Sequence, residues 1–364
     1  MEQPLKVFIV DDSALYRRIL TNSVDGIPVP TEVDTAPTGA IALKKIPLFG
    51  PDIVLLDIEM PEMSGIEVLK AIRKDYPRMT VVLVSGVNSR SADITIEGLS
   101  SGASDFIPKP TGSSIEENTA ELRRGLQQVF NLILAKRAAR GGVRATRLAP
   151  AAQARPKLRP LPSILPARIE IVGIGVSTGG PGALGVVIPQ LPKNISVPVV
   201  IVQHMPPVFT ESLARSLDRS SAVSVCEAED GQVLRAGNVY IAPGGVHTMV
   251  KRFAVQEQQQ LMIRLNDGPP VNSCKPAVDV LFDSLATVTG GRTLAVVMTD
   301  MGHDGKSGAQ HIKARQGYCL SQSEETCTVY GMPQAVDQAR ISDESVALPD
   351  LAGRIYSVTN GTAI

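Results

Sequence analysis

The chain has no excess of either charge sign, no paired cysteines and no long apolar run, and each lack removes a class of protein. Its 364 residues carry 36 Lys plus Arg against 36 Asp plus Glu, which argues against a chain dominated by contacts to a nucleic-acid backbone. Cys226, Cys274, Cys319 and Cys327 form no CxxC pair and no regular framework. Neither a zinc module nor a disulfide scaffold is indicated, and a reducing compartment fits. The stretch "MEQPLKVFIVDD" has no charged segment leading into an apolar one, and no apolar run approaches the roughly 18 residues that span a bilayer. The expectation is a cytoplasmic protein, peripheral to a membrane only through its partners. No internal repeat is visible.

What is present is an alternation. Short aliphatic runs ("VFIV", "DIVLLDI", "TVVLVSG", "FIPKP") alternate with amphipathic segments ("SALYRRIL", "GIEVLKAIRK"), the pattern of an α/β domain with buried parallel strands. The sharpest shift in composition follows: residues 122–169 contain no acidic side chain. Leu122, Leu126, Val129 and Ile133 keep helical spacing, so a closing helix runs on before "LAPAAQARPKLRPLPSILP", an Ala- and Pro-rich basic linker. The alternation then restarts with "IEIVGIG", "VPVVIVQH", "GNVYIAPGG" and "LAVVMTDMG" as strands and "GALGVVIPQL" and "AVDVLFDSLATV" as helices. The expected architecture is a first α/β domain over 5–125, helix end and linker over 126–164, and a doubly wound, mainly parallel α/β domain over 165–357.

In the first domain, polar residues fall where a parallel sheet places its ligands: Asp11 and Asp12 after the first strand, Asp57 after "IVLL", Ser85 after "VVLV" and Lys109 after "FI". Three carboxylates so placed repel one another unless a hard divalent cation such as Mg²⁺ joins them and bridges to a phosphoryl group. Lys109 adds a point charge and Ser85 a hydroxyl. The motifs "VDDS", "LLDIEMPEMSG", "VSG" and "GASDFIPKP", in this order, resemble the receiver domain of two-component response regulators. That resemblance implies Asp57 as phospho-acceptor, Asp11 and Asp12 as Mg²⁺ ligands with the Glu59 backbone carbonyl, Lys109 as phosphoryl contact, and Ser85 with Phe106 as a switch pair. An aspartyl phosphate adds charge at one strand end and so biases a two-state surface.

The second domain opens on "IVGIGVSTGGPGAL". A dinucleotide fingerprint beginning at Gly173 needs glycine where Thr178 stands, and a P-loop needs Gly-Lys-Ser/Thr where the chain has Gly180-Pro181-Gly182. Gly175 to Gly179 instead satisfies G-x-S-x-G, a tight strand-to-helix turn that presents Ser177; a mere helix cap is the plainer alternative. A nucleophilic serine needs a base. Among the four histidines His204 closes a strand, His247 follows another and competes with it, His303 sits in "TDMGHDG" and His311 in a helical run. "LAVVMTDMGHDGKSG" offers Asp300 or Asp304 to orient the imidazole.

The stretches "GVSTGGPGAL", "VQHMPPVFTESLA", "VYIAPGGVH", "KPAVDVLFDS", "MTDMGHDGKSG" and "TCTVYGMPQAV" resemble the catalytic domain of the chemotaxis response regulator protein-glutamate methylesterases. The resemblance implies Ser177 as nucleophile, His204 as base and acid, Asp304 as orienting carboxylate and the Met301 N–H as oxyanion donor, with no cofactor in this half. It also implies glutamate methyl esters and certain glutamines of chemoreceptor cytoplasmic domains as substrates, and a chemotaxis histidine kinase as phosphodonor. On this reading an unphosphorylated receiver covers the hydrolase site and phosphoryl-Asp57 loosens it. Three residues depart from the family pattern: Asp300 replaces the glycine of T-G-M-G, and Cys274 and Ala277 stand where His and Ser are expected. The rival is a receiver-controlled binding or scaffold protein whose hydrolase site is degenerate because of Asp300. A DNA-binding output is disfavoured, since no basic recognition helix is present.

Overall fold

The computed structural model describes residues 3–112, 114–141, 168–255 and 258–361, so most of the linker expected over 126–164 lies outside the described residues. The chain divides into two compact units, Met1–Ala151 and Ala152–Ile364. No helix among the described residues is long and apolar enough to cross a membrane.

The first unit alternates β1 (Leu5–Val10), α1 (Ala14–Asp25), β2 (Thr31–Ala36), α2 (Gly39–Phe49), β3 (Ile53–Asp57), α3 (Gly65–Asp75), β4 (Thr80–Ser85), α4 (Ser89–Ser100), β5 (Asp105–Pro108) and α5 (Ile115–Gly141). The strands form one parallel sheet in the order β2-β1-β3-β4-β5. β3 is buried along its whole length, whereas the edge strand β2, TEVDTA, is mostly half-exposed; continuous apolar runs belong to strands covered on both faces. One face packs Val7, Ile9, Leu55 and Val84 against α1 and α5, with Leu122, Leu126, Val129 and Ile133 all buried. The other packs Phe8, Val54, Leu56 and Leu83 against Ile46, Val68 and Ile72. Helix starts are built locally: Ser64 and Glu67 close a capping box on α3.

The second unit contains β6 (Ile171–Val176), α6 (Gly180–Val187), β7 (Val199–Gln203), α7 (Phe209–Ser220), β8 (Ser224–Glu227), β9 (Asn238–Ile241), β10 (His247–Val255), β11 (Gln258–Asn266), α8 (Val278–Thr289), β12 (Thr293–Val297), α9 (Lys306–Ala314), β13 (Tyr318–Gln322), α10 (Met332–Gln338), β14 (Glu344–Val346) and α11 (Leu351–Thr359). Its parallel sheet runs β14-β13-β12-β6-β7-β9-β8, and β10-β11 form a separate antiparallel pair whose Val250 and Ile263 face the core. From β6 the order proceeds outward to β7 on one side and later returns to β12 on the other. The strand ends flanking that reversal are where a parallel sheet opens a crevice. In the first unit the corresponding reversal lies between β1 and β3.

Candidate functional site

In the second unit Ser177 directly follows β6, His204 follows β7, and Thr299 to Asp304 follow β12, so the candidate residues ring the reversal point. Register makes this compact: Val176 pairs with Gln203, His204 N–H donates to Val176 carbonyl at 3.2 Å, and Ser177 N–H donates to Thr299 carbonyl at 3.0 Å. Gln203 Nε2 donates to the Ser177 carbonyl at 3.0 Å and fixes the turn from below. Gly179, at φ 73°, is the N-cap of α6. A Cβ there would lie 2.4 Å from Thr328 Oγ1, so glycine serves both conformation and space. Ser177 is therefore not the cap of α6, which removes the plainer reading of the serine. Its Oγ has no hydrogen-bond partner among the described residues.

His204 and Asp304 are joined, Nε2 to Oδ2, at 2.9 Å. Asp304 is the better fixed of the two acids after β12. Its carboxylate accepts from Asn272 Nδ2 (2.8 Å) and from the N–H groups of Val278 (2.6 Å), Asp279 (3.1 Å) and Gly305 (3.0 Å). Val278 and Asp279 are the first residues of α8, whose N-cap, Ala277, offers no side-chain acceptor. Asp304 thus caps that helix from another segment, where the helix dipole favours an anion. Burial raises its pKa, but the His204 bond, Asn272 and the Val278 N–H outweigh burial and hold it below the ordinary carboxylate value. Burial works against the His204 imidazolium too, yet the Asp304 bond, with Cys274 and Asp300 nearby, pushes the imidazole up to about 10.

Asp300, the residue that stands where the family pattern has glycine, does not face open solvent. Only 7% exposed, it turns back on the backbone: Oδ2 accepts from Gly302 N–H at 2.8 Å and Oδ1 from Thr178 N–H in a long bond of 3.4 Å. Residue 300 does not have positive φ, so the position does not demand glycine. The Met301 N–H has no partner among the described residues. Gly331 lets the loop before α10 cross here, because a Cβ on it would meet Asp300 carbonyl oxygen at 2.3 Å and Met301 carbon at 2.5 Å.

The other histidines lie apart from this set. His247, the competitor, is 2% exposed; its Nδ1 accepts from Ala277 N–H at 3.2 Å and its Nε2 donates to Pro269 carbonyl at 2.9 Å. Both nitrogens are thus spent on backbone. His303 is exposed, and His311 sits on α9 against Asp283 at 2.6 Å. Cys274 is brought to the site: its Sγ lies 3.6 Å from His204 Nδ1. Sequence reasoning missed Asn272 and Asp279. Asn272 and Ser273, both at positive φ, make a two-residue turn between Val271 and Cys274, and Asn272 Nδ2 bridges Asp304 and Asp279. The "NS" turn signal was legible; its target was not.

In the first unit Asp11, Asp12 and Asp57 present oxygens within 4.8 Å of one another. Lys109 Nζ lies 2.9 Å from Asp11 Oδ2 and 2.9 Å from Asp57 Oδ2. Burial, with Asp11 adding to it against the pull of Lys109, raises Asp57 to about 6. Attraction to Asp57 and Asp11 overcomes burial and keeps the Lys109 ammonium charged. One ammonium among three clustered carboxylates leaves a deficit of positive charge, and an all-oxygen donor set suits a hard divalent cation. Glu59 N–H donates to Asp57 Oδ1 at 3.3 Å, and its carbonyl accepts no hydrogen bond among the described residues. Ser85 Oγ is engaged with α4: it accepts from Thr95 Oγ1 at 2.6 Å and faces the Ser91 carbonyl. Phe106 is half-buried beside the α3-side cluster.

Each unit matches a known family. Residues 172–355 match the sequence model of the CheB methylesterase family, and residues 7–120 that of the response regulator receiver domain. The protein-glutamate methylesterase/protein-glutamine glutaminase of Desulfotalea psychrophila is 42% identical over 357 residues, covering 96% of this chain and 97% of that protein. The protein of the same name from Thermotoga maritima is 39% identical and covers 94% of this chain and 95% of its own. The crystal structure of the Thermotoga maritima CheB methylesterase catalytic domain superposes with a TM-score of 0.50 at 40% identity, over 52% of this chain and 98% of that one. With a receiver domain preceding its catalytic unit, the chain belongs to the CheB methylesterase family.

Proposed function

We propose that the protein is a phosphorylation-activated serine hydrolase that removes methyl groups from glutamate methyl esters, and deamidates certain glutamines, on chemoreceptor cytoplasmic domains. The observation that carries this is the Asp304–His204 pair beside Ser177 at the reversal point of the second sheet. Ser177 Oγ attacks the ester carbonyl carbon, and His204 takes the serine proton on Nδ1, the ring edge opposite Asp304. Asp304 holds the tautomer and the charged ring that results. The Met301 N–H donates to the oxygen that becomes negative. His204 then returns its proton to the departing methanol, or ammonia from a glutamine, and water activated by the same imidazole releases the glutamate.

The receiver half supplies control. Asp57 accepts a phosphoryl group from a chemotaxis histidine kinase, Lys109 binds a phosphoryl oxygen, and Ser85 swings from α4 toward the new charge while Phe106 changes rotamer. Asp11, Asp12, Asp57 and the Glu59 carbonyl would hold Mg²⁺, which when bound neutralises the oxygens between acceptor and donor. Cytoplasmic action follows from such substrates and such a donor.

The test is release of labelled methanol from methyl-labelled receptor membranes, with and without a small phosphodonor. Release that rises with the phosphodonor is expected. No release under either condition overturns the hydrolase and favours the scaffold reading.

A further inference from the structure

Cys274 is absorbed by neither the hydrolytic chemistry nor the packing. His204, Cys274 and Asp304 each present a ligand atom, all within 4.8 Å of one another. Asp304 is engaged at His204 Nε2, so the donors facing one another are a thiol and an imidazole nitrogen, which suit a borderline-soft divalent cation rather than Mg²⁺. With Zn–S near 2.3 Å and Zn–N near 2.0 to 2.1 Å, two ligands of a tetrahedral zinc ion stand ~3.6 Å apart. Cys274 Sγ and His204 Nδ1 are separated by 3.6 Å. On the other edge of the ring, Nε2 is held by Asp304 at 2.9 Å, the carboxylate–histidine arrangement that orients imidazole ligands on zinc. The two-residue turn at Asn272-Ser273 presents the thiol with its backbone tied across Val271 and Cys274, at 3.1 and 2.9 Å.

We propose that Cys274 Sγ and His204 Nδ1 form a zinc-binding pair, backed by Asp304, through which Zn²⁺ switches the hydrolase off. Binding forms one Zn–S and one Zn–N bond and releases to solvent the thiol proton and any proton on Nδ1. Water completes the coordination. The bound ion occupies the ring nitrogen that receives the serine proton, so it competes with catalysis without displacing Ser177. The inhibitory half rests on the hydrolase reading above; the binding half does not.

The full-length protein, stripped with chelator, is titrated with Co²⁺ alone and followed by absorption. A thiolate-to-cobalt band in the near ultraviolet is expected at one equivalent, and Cys274→Ser should abolish it. Cobalt in the all-oxygen receiver site gives no such band. Absence of the band in the unaltered chain, or its survival in Cys274→Ser, overturns the site. Methanol release is then measured with micromolar Zn²⁺: at least a tenfold loss of initial rate, restored by chelator, is expected. Cys274→Ser, referred to its own metal-free rate, should lose most of that sensitivity. Undiminished inhibition of Cys274→Ser overturns the switch. If metal-free protein releases no methanol, the hydrolase reading fails while the cobalt band still decides the metal site.

Discussion

Asp57, the last residue of β3, and Asp304, in the segment after β12, are both buried aspartates at the point where strand order reverses, yet their surroundings pull them in opposite directions. Asp57 has Asp11 beside it and a single ammonium for compensation, and it is pushed up to about 6. Asp304 sits on the first N–H groups of α8 with Asn272 and His204, and is held below its ordinary value. The first is a site short of positive charge, suited to gaining a cation and a phosphoryl group. The second is complete as an anion, suited to orienting an imidazole through repeated turnover. One sheet geometry thus yields a receiver of charge and a fixed charge, depending on whether neighbouring strands end in carboxylates or a helix begins there.

The harshest challenge to that contrast is removal of what Asp304 ultimately serves. Ser177→Ala should lower methanol release on the order of 10⁶-fold, by analogy with loss of a triad serine, in a chain that still accepts phosphate on Asp57. Asp304→Asn should cost about 10⁴-fold in kcat, since the amide cannot stabilise a charged His204, and it should also lower the melting temperature because the N–H groups of Val278 and Gly305 lose their anion. Initial rates that rank Asp300→Gly below Asp304→Asn would show that the wrong acid has been assigned.

How far the sequence carries this contrast depends on the range of the interactions involved. The central strands were readable because both of their faces are buried, as in β6, IVGIGV, which is buried throughout. The hairpin β10-β11 and the edge strands β2, β8 and β14 were not, since their burial is mixed and their pairing is set by distant segments; nor was β13, YCLSQ, which is buried throughout but carries Ser and Gln in place of a continuous apolar run. Ser177, His204 and Asp304 were legible as strand-end residues. Gln203, Asn272 and Asp279 were not, because each acts through a hydrogen bond to a partner fixed only by tertiary structure. Asp300 is held partly by a local bond, from Gly302 N–H two residues on, and partly by Thr178 N–H, 122 positions away; the second has no local signature.

A smaller effect is expected at the other aspartate of the pair. Asp57→Asn should leave the second unit's chemistry intact and remove only the proposed acceptor, so methanol release should persist at its basal rate and lose its response to a small phosphodonor. Stimulation that survives in Asp57→Asn would mean that the phosphoryl group acts elsewhere, and the charge-deficient site would lose its role.

The smallest effect concerns Asp300, which joins neither class: its carboxylate is buried like the other two, but it is spent on the Thr178 and Gly302 N–H groups and lies close enough to His204 to help raise it. A raised histidine pKa means the imidazole keeps its proton until pH climbs through the shifted value, so the base form, and with it kcat/KM, should increase with pH across the neutral and alkaline range. Asp300→Asn removes the charge but keeps a side-chain acceptor, and should move that ascending limb to lower pH by a fraction of a unit. Asp300→Gly should do the same and also free the Thr178 N–H, the residue after the nucleophile, for the developing oxyanion. A gain of a few-fold in kcat at neutral pH is expected, about 1 kcal/mol in the barrier. If both variants leave the pH profile where it stands while lowering kcat, Asp300 only braces the Ser177 turn.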